Sequence, residues 1–275
     1  MYKAVFLDMD GTLLRSDHSV SEPTQQVIRT LTARGIPVVL VSARPLDAIL
    51  PTARQIGLMD LPLVSLNGGY ITEKEQPIFQ AVIDVATTAR VTEEVGHDKA
   101  TIAYYLQREW YAETSDSWTA HEQKIMDVQL KVQPFAEMSR DWSARKIGPN
   151  KMMVMGEPES IAVIEAHLKS VFGQSLNIYT SKPTYLEVMD PKGSKSNAVR
   201  FLIGRMQLDR TEVIAMGDNF NDREMIGFAG MGVAMGNAPD EIKQAADYIT
   251  DTNNNDGVRK ALEHFFSLAP FTPDR

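Results

Sequence analysis

Short apolar runs alternate with amphipathic stretches along residues 1–82. Residues 2–7 and 36–41 are mostly apolar, which is typical of strands that are buried on both faces of a sheet. Between them, residues 21–33 carry apolar side chains at helical spacing, and Ser21 can cap the first turn. Because strands and helices alternate, this part of the chain predicts an open parallel sheet flanked by helices.

The same alternation returns in residues 191–275, whereas residues 83–190 have a different pattern. All 3 tryptophans lie in this middle segment, where predicted strands and helices follow no regular order. The pattern predicts an α/β fold in which a parallel-sheet core, formed by residues 1–82 and 191–275, carries an inserted mixed α/β domain of residues 83–190. A chain of 275 residues is long enough for two hydrophobic cores.

Composition and charge exclude several classes of protein. The formal net charge is −8, so the chain lacks the basic field that nucleic acids or anionic membranes require. The cysteine count is 0, which excludes disulfides, thiolate zinc sites and a cysteine nucleophile. No segment has the pattern of a signal peptide or a membrane span. We therefore expect a cytoplasmic protein that binds neither nucleic acid nor membrane; the sequence does not predict its oligomeric state.

A dense acidic motif, DMDGT at residues 8–12, follows the first predicted strand directly. In an open parallel sheet, ligands bind at the carboxyl ends of the strands. Residues two apart on a strand share a face, so the carboxylates of Asp8 and Asp10 can approach one centre. Two neighbouring like charges favour a cation between them, and oxygen ligands favour Mg²⁺. The alternative, a plain acidic turn, is less compatible with the Gly-Thr that follows.

A second acidic motif, GDNFND at residues 217–222, follows the late predicted strand of residues 213–216. Its outer carboxylates, Asp218 and Asp222, lie four residues apart at the start of a predicted helix. Taken alone, the motif would be an Asx turn with a helix cap. Its combination with the first acidic motif favours a shared site at the edge of the sheet.

Together the two motifs resemble those of the haloacid dehalogenase (HAD) superfamily of phosphohydrolases, and the order of segments resembles its Cof-type sugar-phosphatase branch. The resemblance covers essentially the whole chain. It implies a HAD-like, Rossmannoid core of parallel strands with an inserted α/β cap domain. Ser42 holds the place of the family's strand-end hydroxyl residue, although Ala43 stands where glycine is usual. Lys195 holds the place of the family's lysine, with Lys192 as the competing assignment.

The resemblance implies a role for each matching residue. Asp8 would be the nucleophile, Asp10 the general acid and base, and Lys195 the cation that neutralises Asp8 and the phosphoryl group. The implied metal ligands are Asp8, the backbone carbonyl of Asp10 and Asp218, with Asp222 in support. The implied phosphate- and substrate-binding residues are Met9 and Ala43 through their N–H groups, Ser42, Arg44, Asn67, Gly68, Lys195 and Asn221. For Arg44 and the Asn67-Gly68 pair, a structural turn is an equal alternative.

These assignments predict a Mg²⁺-dependent phosphatase that acts on small phosphate monoesters, with sugar phosphates as the leading class. The alternatives are a phosphotransferase or hexose-phosphate mutase, and a non-catalytic phospholigand sensor on the same fold. Release of phosphate without a bisphosphate activator separates the phosphatase from the mutase, and the complete set of charged motif residues disfavours the sensor. The aromatic residues of the insertion, Tyr104, Tyr105, Trp110 and Tyr111, are expected to pack within its own core rather than against substrate.

Overall fold

The computed structural model describes residues 2–96, 100–126 and 128–269, except for the side chain of residue 125. Within these residues the chain forms two β-sheets that pack against helices. None of the described helices is long and apolar enough to cross a membrane.

The strands, in chain order, are β1 (Ala4–Leu7), β2 (Val38–Val41), β3 (Pro62–Ser65), β4 (Tyr70–Glu73), β5 (Gln76–Gln80), β6 (Thr101–Leu106), β7 (Glu109–Ala112), β8 (Lys131–Val132), β9 (Lys151–Met155), β10 (Asn177–Lys182), β11 (Tyr185–Met189), β12 (Val213–Gly217), β13 (Met231–Ala234) and β14 (Tyr248–Ile249). The helices are α1 (Glu22–Ala33), α2 (Leu46–Ile56), α3 (Val85–Val95), α4 (Ser117–Met126), α5 (Phe135–Arg145), α6 (Pro158–Phe172), α7 (Lys195–Met206), α8 (Arg223–Phe228), α9 (Asp240–Gln244) and α10 (Gly257–Phe265). Short 3₁₀ turns span Leu66–Gly68, Arg210–Glu212, Phe220–Asp222 and Asn253–Asn255.

The first sheet is built from both ends of the chain, in the order β14-β13-β12-β1-β2-β3-β4-β5. The strands from β14 to β3 pair in parallel, and β4 and β5 add an antiparallel hairpin at one edge. β1 lies between β12 and β2, and Leu7 pairs with Met216. This pairing brings the residues that follow β1 and β12 to the same edge of the sheet.

Alternate residues of β1 face opposite hydrophobic layers. Val5 and Leu7 belong to the cluster that includes residues of α1, α2 and α10. Ala4 and Phe6 belong to the cluster that includes residues of α7 and α8. All four residues are 0% exposed, so the strand is buried on both faces, which is why its sequence is continuously apolar.

The strands β1, β2 and β12 lie close to their predicted bounds. The β4–β5 hairpin turns at Lys74 and Glu75, which have φ values of 51° and 60°. Two consecutive left-handed residues form the kind of tight turn that matches the twist of paired strands. The edge strand β14 was not predicted, because its 2 residues are too few to carry a pattern.

The second sheet has the order β10-β11-β9-β6-β7-β8 and is antiparallel except for the β7–β8 pair. Tyr104 and Tyr111 pack around Trp142 in the core of this sheet, as expected. Tyr105 and Trp110 lie on the opposite face of this sheet, where they stack on each other at 6.0 Å and belong to a cluster that also contains residues of the first sheet. Neighbouring residues on a strand point to opposite faces, so only alternate aromatic residues can enter one core.

A buried asparagine ties the two sheets together beside the linking segments. Asn150 is 0% exposed, and its side-chain amide donates to the carbonyls of Gly69 and Ala81 at 2.9 Å each. All strands of the second sheet lie inside the predicted insertion of residues 83–190. That this insertion folds as a separate domain stays a prediction.

Candidate active site

The two acidic motifs meet at the carboxyl ends of neighbouring parallel strands. Asp8 follows β1, and Asp218 follows the adjacent strand β12. Carboxylate oxygens of Asp8, Asp218 and Asp222 all lie within 4.8 Å of one another. Residues that are more than two hundred positions apart in sequence are therefore neighbours, because parallel strands end at the same edge of the sheet.

A buried lysine lies between two of these carboxylates. Lys195 Nζ donates to Asp8 Oδ1 and to Asp222 Oδ1, at 2.5 Å each. The Lys195 side chain is only 1% exposed, so the ammonium depends on these carboxylates in place of water. The competing Lys192 is exposed. The geometry therefore favours Lys195 as the cation of the site.

The carboxylates outnumber the buried ammonium, and their pKa values reflect this. Burial raises the pKa of Asp8 well above its ordinary value, Asp222 and Asp218 raise it further, and Lys195 opposes them. Burial and the Asp222 carboxylate also raise the pKa of Asp218 to about 6. Burial lowers the pKa of Lys195, but the carboxylates of Asp222 and Asp8 outweigh this and leave that pKa raised. A group of oxygen donors with more negative than positive charge fits a divalent cation such as Mg²⁺.

Asp222 organises the loop that carries Asp218. Its Oδ2 accepts hydrogen bonds from the N–H groups of Asp218 and Asn219 at 3.0 Å each, while its Oδ1 accepts from Lys195. Both oxygens are occupied, so the geometry suits a supporting role for Asp222 better than direct metal ligation. Gly217 packs against this side chain so closely that a Cβ would lie 2.4 Å from the Cβ of Asp222.

The residues after Asp10 hold Asp218 in place. Thr12 Oγ1 donates to Asp218 Oδ1 at 3.0 Å. Gly11 has a φ of +79°, and a Cβ at this position would lie 2.3 Å from Asp218 Oδ2. Glycine is therefore required both for the left-handed backbone and for the close approach. The Gly-Thr pair of the first motif thus positions a carboxylate of the second.

Asp10 lies apart from the buried group. Its side chain is 49% exposed, and Arg44 binds both of its oxygens, at 2.7 Å from Nε and 2.5 Å from a terminal nitrogen. This bidentate pair fixes the Asp10 carboxylate at the wall of a cavity. Arg44, which was a candidate for contact with substrate, here binds Asp10. Metal ligation through the Asp10 backbone carbonyl stays a prediction.

Three other predicted phosphate-binding residues lie next to this group. Ser42 is 1% exposed, and its Oγ accepts a hydrogen bond from the Arg44 N–H at 3.1 Å. Ala43 lines the cavity. The Met9 side chain is buried in the hydrophobic core, so only its backbone is available for phosphate. Contact of Ser42, Ala43 and Met9 with a phosphoryl group stays a prediction.

Asn67 and Asn221 connect the two sheets. Asn67 Nδ2 donates to the Tyr179 hydroxyl at 2.7 Å and to Glu187 Oε2 at 2.8 Å, and its Oδ1 accepts from Asn221 Nδ2 at 3.0 Å. Gly68 has a φ of +90° and approaches a backbone carbonyl so closely that a Cβ would lie 2.3 Å from it. These predicted substrate residues therefore join the walls of the site, and their contact with substrate stays a prediction.

A cavity of about 340 Å³ lies between the sheets and is lined by Asp8 and Asp10. On the side of the second sheet, Lys151 Nζ lies 3.4 Å from Glu187 Oε2 and donates to the Ala43 carbonyl at 3.1 Å. Lys151 and Glu187 are each 4% exposed, so the pair is buried. A second cavity, of about 420 Å³, contains none of the predicted site residues.

Sequence reasoning missed Lys151 and Glu187, although a signal was present. Each is a charged residue in an otherwise apolar strand, KMMVM in β9 and YLEVM in β11. Charged side chains are rarely buried unless they are paired, so two such positions in nearby strands indicate a buried ion pair. The pattern did not predict that β9 and β11 are neighbours in the sheet.

Comparisons with known proteins agree with this fold. Residues 5–262 match the sequence profile of the haloacid dehalogenase-like hydrolases. A relative from Haemophilus influenzae, named "Putative phosphatase", is 39% identical over 97% of this chain and 99% of its own. A 5-amino-6-(5-phospho-D-ribitylamino)uracil phosphatase from Bacillus subtilis is 28% identical over 96% of this chain and 95% of its own. The solved structure of a haloacid dehalogenase-like hydrolase from Bacteroides thetaiotaomicron matches with a TM-score of 0.86 and 31% identity, covering 97% of this chain and 100% of that one.

The chain belongs to the haloacid dehalogenase-like hydrolases, since both the family profile and a relative cover nearly all of it. The family and the HAD-like fold expected from the motifs are confirmed. The protein is an enzyme of the phosphoric monoester hydrolase class.

Proposed function

We propose that this phosphatase is Mg²⁺-dependent and hydrolyses small phosphate monoesters, with sugar phosphates as the substrate class, through an aspartyl-phosphate on Asp8. The observation that carries the proposal is the Asp8 carboxylate, which lies 2.5 Å from Lys195 at the wall of a cavity of about 340 Å³. A cavity of this size accommodates a small leaving alcohol.

In the first half-reaction, an oxygen of Asp8 would attack phosphorus while the bond from phosphorus to the ester oxygen breaks. The leaving oxygen would take its proton from Asp10. Lys195 would offset negative charge on the phosphoryl group as it forms a bond to Asp8. Arg44 holds both oxygens of Asp10, so one of these hydrogen bonds must loosen while Asp10 carries the proton.

In the second half-reaction, water would attack phosphorus and the bond from phosphorus to Asp8 would break. Asp10 would take the proton from this water, which returns Asp10 to its protonated form and releases phosphate. The same carboxylate thus serves as acid and then as base. Its position at the cavity wall, outside the buried carboxylate group, suits both transfers.

Asp8 and Asp218 would hold Mg²⁺, with Asp222 fixing the loop. The raised pKa values of Asp8 and Asp218, which result from burial and from neighbouring carboxylates, support a cation at this position. The ion would supply positive charge that favours binding of phosphoryl oxygens next to Asp8.

Two observations support a small phosphate ester as the substrate. The net charge of −8 disfavours a polyanion such as nucleic acid. The relative from Bacillus subtilis is named for a phosphate ester that carries a ribityl chain, a sugar alcohol. Location in the cytoplasm stays a prediction.

Phosphate release from a panel of sugar and polyol phosphates and p-nitrophenyl phosphate, with Mg²⁺ or with EDTA, tests the proposal. We expect release that requires Mg²⁺ and does not require a bisphosphate activator. Activity that depends on a bisphosphate and moves phosphate within a sugar would indicate a mutase instead. The absence of release from folded protein that binds Mg²⁺ would contradict the proposal.

A further inference from the structure

We infer that Glu122 determines specificity by accepting hydrogen bonds from hydroxyl groups of the leaving alcohol. The inference rests on the proposed function and deepens it. It assigns the leaving group to the uncharged polyols and sugars, and disfavours leaving groups that carry an acid.

One oxygen of Glu122 has no hydrogen-bond donor in the part of the chain that the structure describes. Glu122 belongs to α4 and is 7% exposed, and its Oε1 is buried without a partner among those residues. Burial and the Glu122 carboxylate beside it raise the pKa of the Tyr185 hydroxyl. A buried carboxylate oxygen without a donor is costly, so a ligand that supplies a donor gains from binding there.

Glu122 lies on the same cavity as the reacting carboxylates. It lines the cavity of about 340 Å³ together with Asp8 and Asp10. Its charge also acts on Arg44: burial lowers the pKa of Arg44, but Asp10, Asp8 and Glu122 together leave it raised. Glu122 therefore lies at the cavity that contains the reacting carboxylates, not on the outer face of the second sheet.

The other buried charges at the cavity are paired within the protein. Arg44 is bound to Asp10, and Lys151 is bound to Glu187 and to a backbone carbonyl. Among the carboxylates that the structure describes at this cavity, Glu122 is the one with a buried oxygen that lacks a donor. Among these carboxylates, a hydrogen bond from the leaving alcohol would therefore stabilise Glu122 the most.

The chemistry of a carboxylate defines the leaving group that fits. An ionised carboxylate accepts hydrogen bonds and donates none, so its ligand must supply O–H or N–H donors. A second carboxylate or phosphate on the leaving group would be repelled by Glu122. A site built to bind hydroxyl groups discriminates strongly against analogues that lack them.

The variant Glu122→Gln tests the inference with three phosphate esters in the presence of Mg²⁺. Sorbitol 6-phosphate carries a neutral polyol, 6-phosphogluconate adds a carboxylate, and p-nitrophenyl phosphate has no donor on its leaving group. Glutamine keeps the shape of the side chain but removes its charge, so the charge-assisted hydrogen bonds to the leaving alcohol would be lost. Glu159→Gln, at an exposed glutamate of α6, is the matched control, and thermal unfolding shows whether each variant is folded.

We expect Glu122→Gln to lower kcat/KM for sorbitol 6-phosphate by about tenfold or more. Turnover of p-nitrophenyl phosphate should change by less than about twofold. The loss of kcat/KM should be smaller for 6-phosphogluconate than for sorbitol 6-phosphate. Glu122→Asp, which retains the charge, should recover part of the loss. If Glu122→Gln does not fold, Glu122→Asp, which keeps the charge but shortens the side chain, should still lower kcat/KM for sorbitol 6-phosphate more than for p-nitrophenyl phosphate.

If Glu122→Gln loses kcat/KM equally on all three esters, or loses none on sorbitol 6-phosphate, the inference is overturned while the proposed function stands. Wild-type protein that prefers 6-phosphogluconate to sorbitol 6-phosphate would overturn it as well. If wild-type protein releases phosphate from none of the esters, the proposed function itself fails, and the inference fails with it.

Discussion

The two walls of the cavity each contain a buried lysine, but the two lysines are held differently. On the wall formed by the first sheet, Lys195 contacts two carboxylates at 2.5 Å, and Asp218 adds a third carboxylate nearby. On the wall formed by the second sheet, Lys151 pairs with Glu187 at 3.4 Å and with a carbonyl of the opposite wall. The first arrangement has three carboxylates for one ammonium, so it suits a metal ion and, with it, a phosphoryl group. The second is balanced and joins the two walls.

The largest expected effect comes from the lysine of the first wall. Lys195→Met should lower turnover by about a thousandfold, because it removes the cation next to Asp8. It should also reduce the free energy of unfolding by about 3–5 kcal/mol, since two buried carboxylates lose their partner. Steady-state kinetics and urea unfolding measure the two effects. Lys192→Met, at an exposed lysine, should match wild type, and equal effects of both variants would refute the assignment.

Replacement of Asp10 should cause a large loss of activity without a loss of stability. Asp10→Asn should lower kcat by about 10²- to 10⁴-fold, because amide cannot transfer the protons. Its side chain is 49% exposed and lies outside the carboxylate group, so folding and Mg²⁺ affinity should be retained. Isothermal titration with Mg²⁺ is the check. A large fall in Mg²⁺ affinity would show that the Asp10 side chain belongs to the metal site.

On the second wall, the expected effect is mainly on stability. Lys151→Met should reduce the free energy of unfolding by about 3 kcal/mol, because Glu187 is left buried without its cation. The double variant Lys151→Met/Glu187→Gln should recover much of this loss, since no unpaired charge remains. Urea unfolding of wild type, both single variants and the double variant gives the coupling between the residues. Additive losses would show that the pair is not coupled.

The smallest expected effect is a pH dependence of the free energy of unfolding, which arises from Asp218 on the first wall. The pKa of Asp218 is raised to about 6 from an ordinary value of 3.8, so folded, metal-free protein binds this proton more tightly than the unfolded chain. The free energy of unfolding should therefore fall as pH rises from about 4 to about 6, by on the order of 2 kcal/mol. Urea unfolding in EDTA measures this. In Asp218→Asn the free energy of unfolding should lack this fall with pH. If plots of that free energy against pH run parallel for wild type and Asp218→Asn, the prediction is wrong.

The first wall could be predicted from sequence because its residues lie in contiguous motifs. Asp8 and Asp218 each follow a short apolar strand, and parallel strands bring such positions to one edge. The same reasoning could not give the position of Asp10, because its bond to Arg44 depends on the path of two loops.

The assembly of the second wall could not be predicted, because its residues come from separate elements whose neighbours in the fold the sequence does not give. Lys151 and Glu187 lie on strands whose order in the sheet does not follow their order in the chain. Glu122 is on α4, whose sequence gives no sign of which face meets the cavity. Aromatic residues were equally hard to assign, since Tyr104 and Tyr105 are adjacent in sequence and belong to different cores.

The role of Asp8 as nucleophile is the central claim, and the kcat of Asp8→Asn tests it most directly. Asp60→Asn, at an exposed aspartate, is the matched control. We predict that Asp8→Asn, shown to be folded by its thermal unfolding, releases no phosphate above background from the best ester of the panel, while Asp60→Asn retains wild-type kcat. Release by Asp8→Asn at a rate near that of wild type would contradict the account.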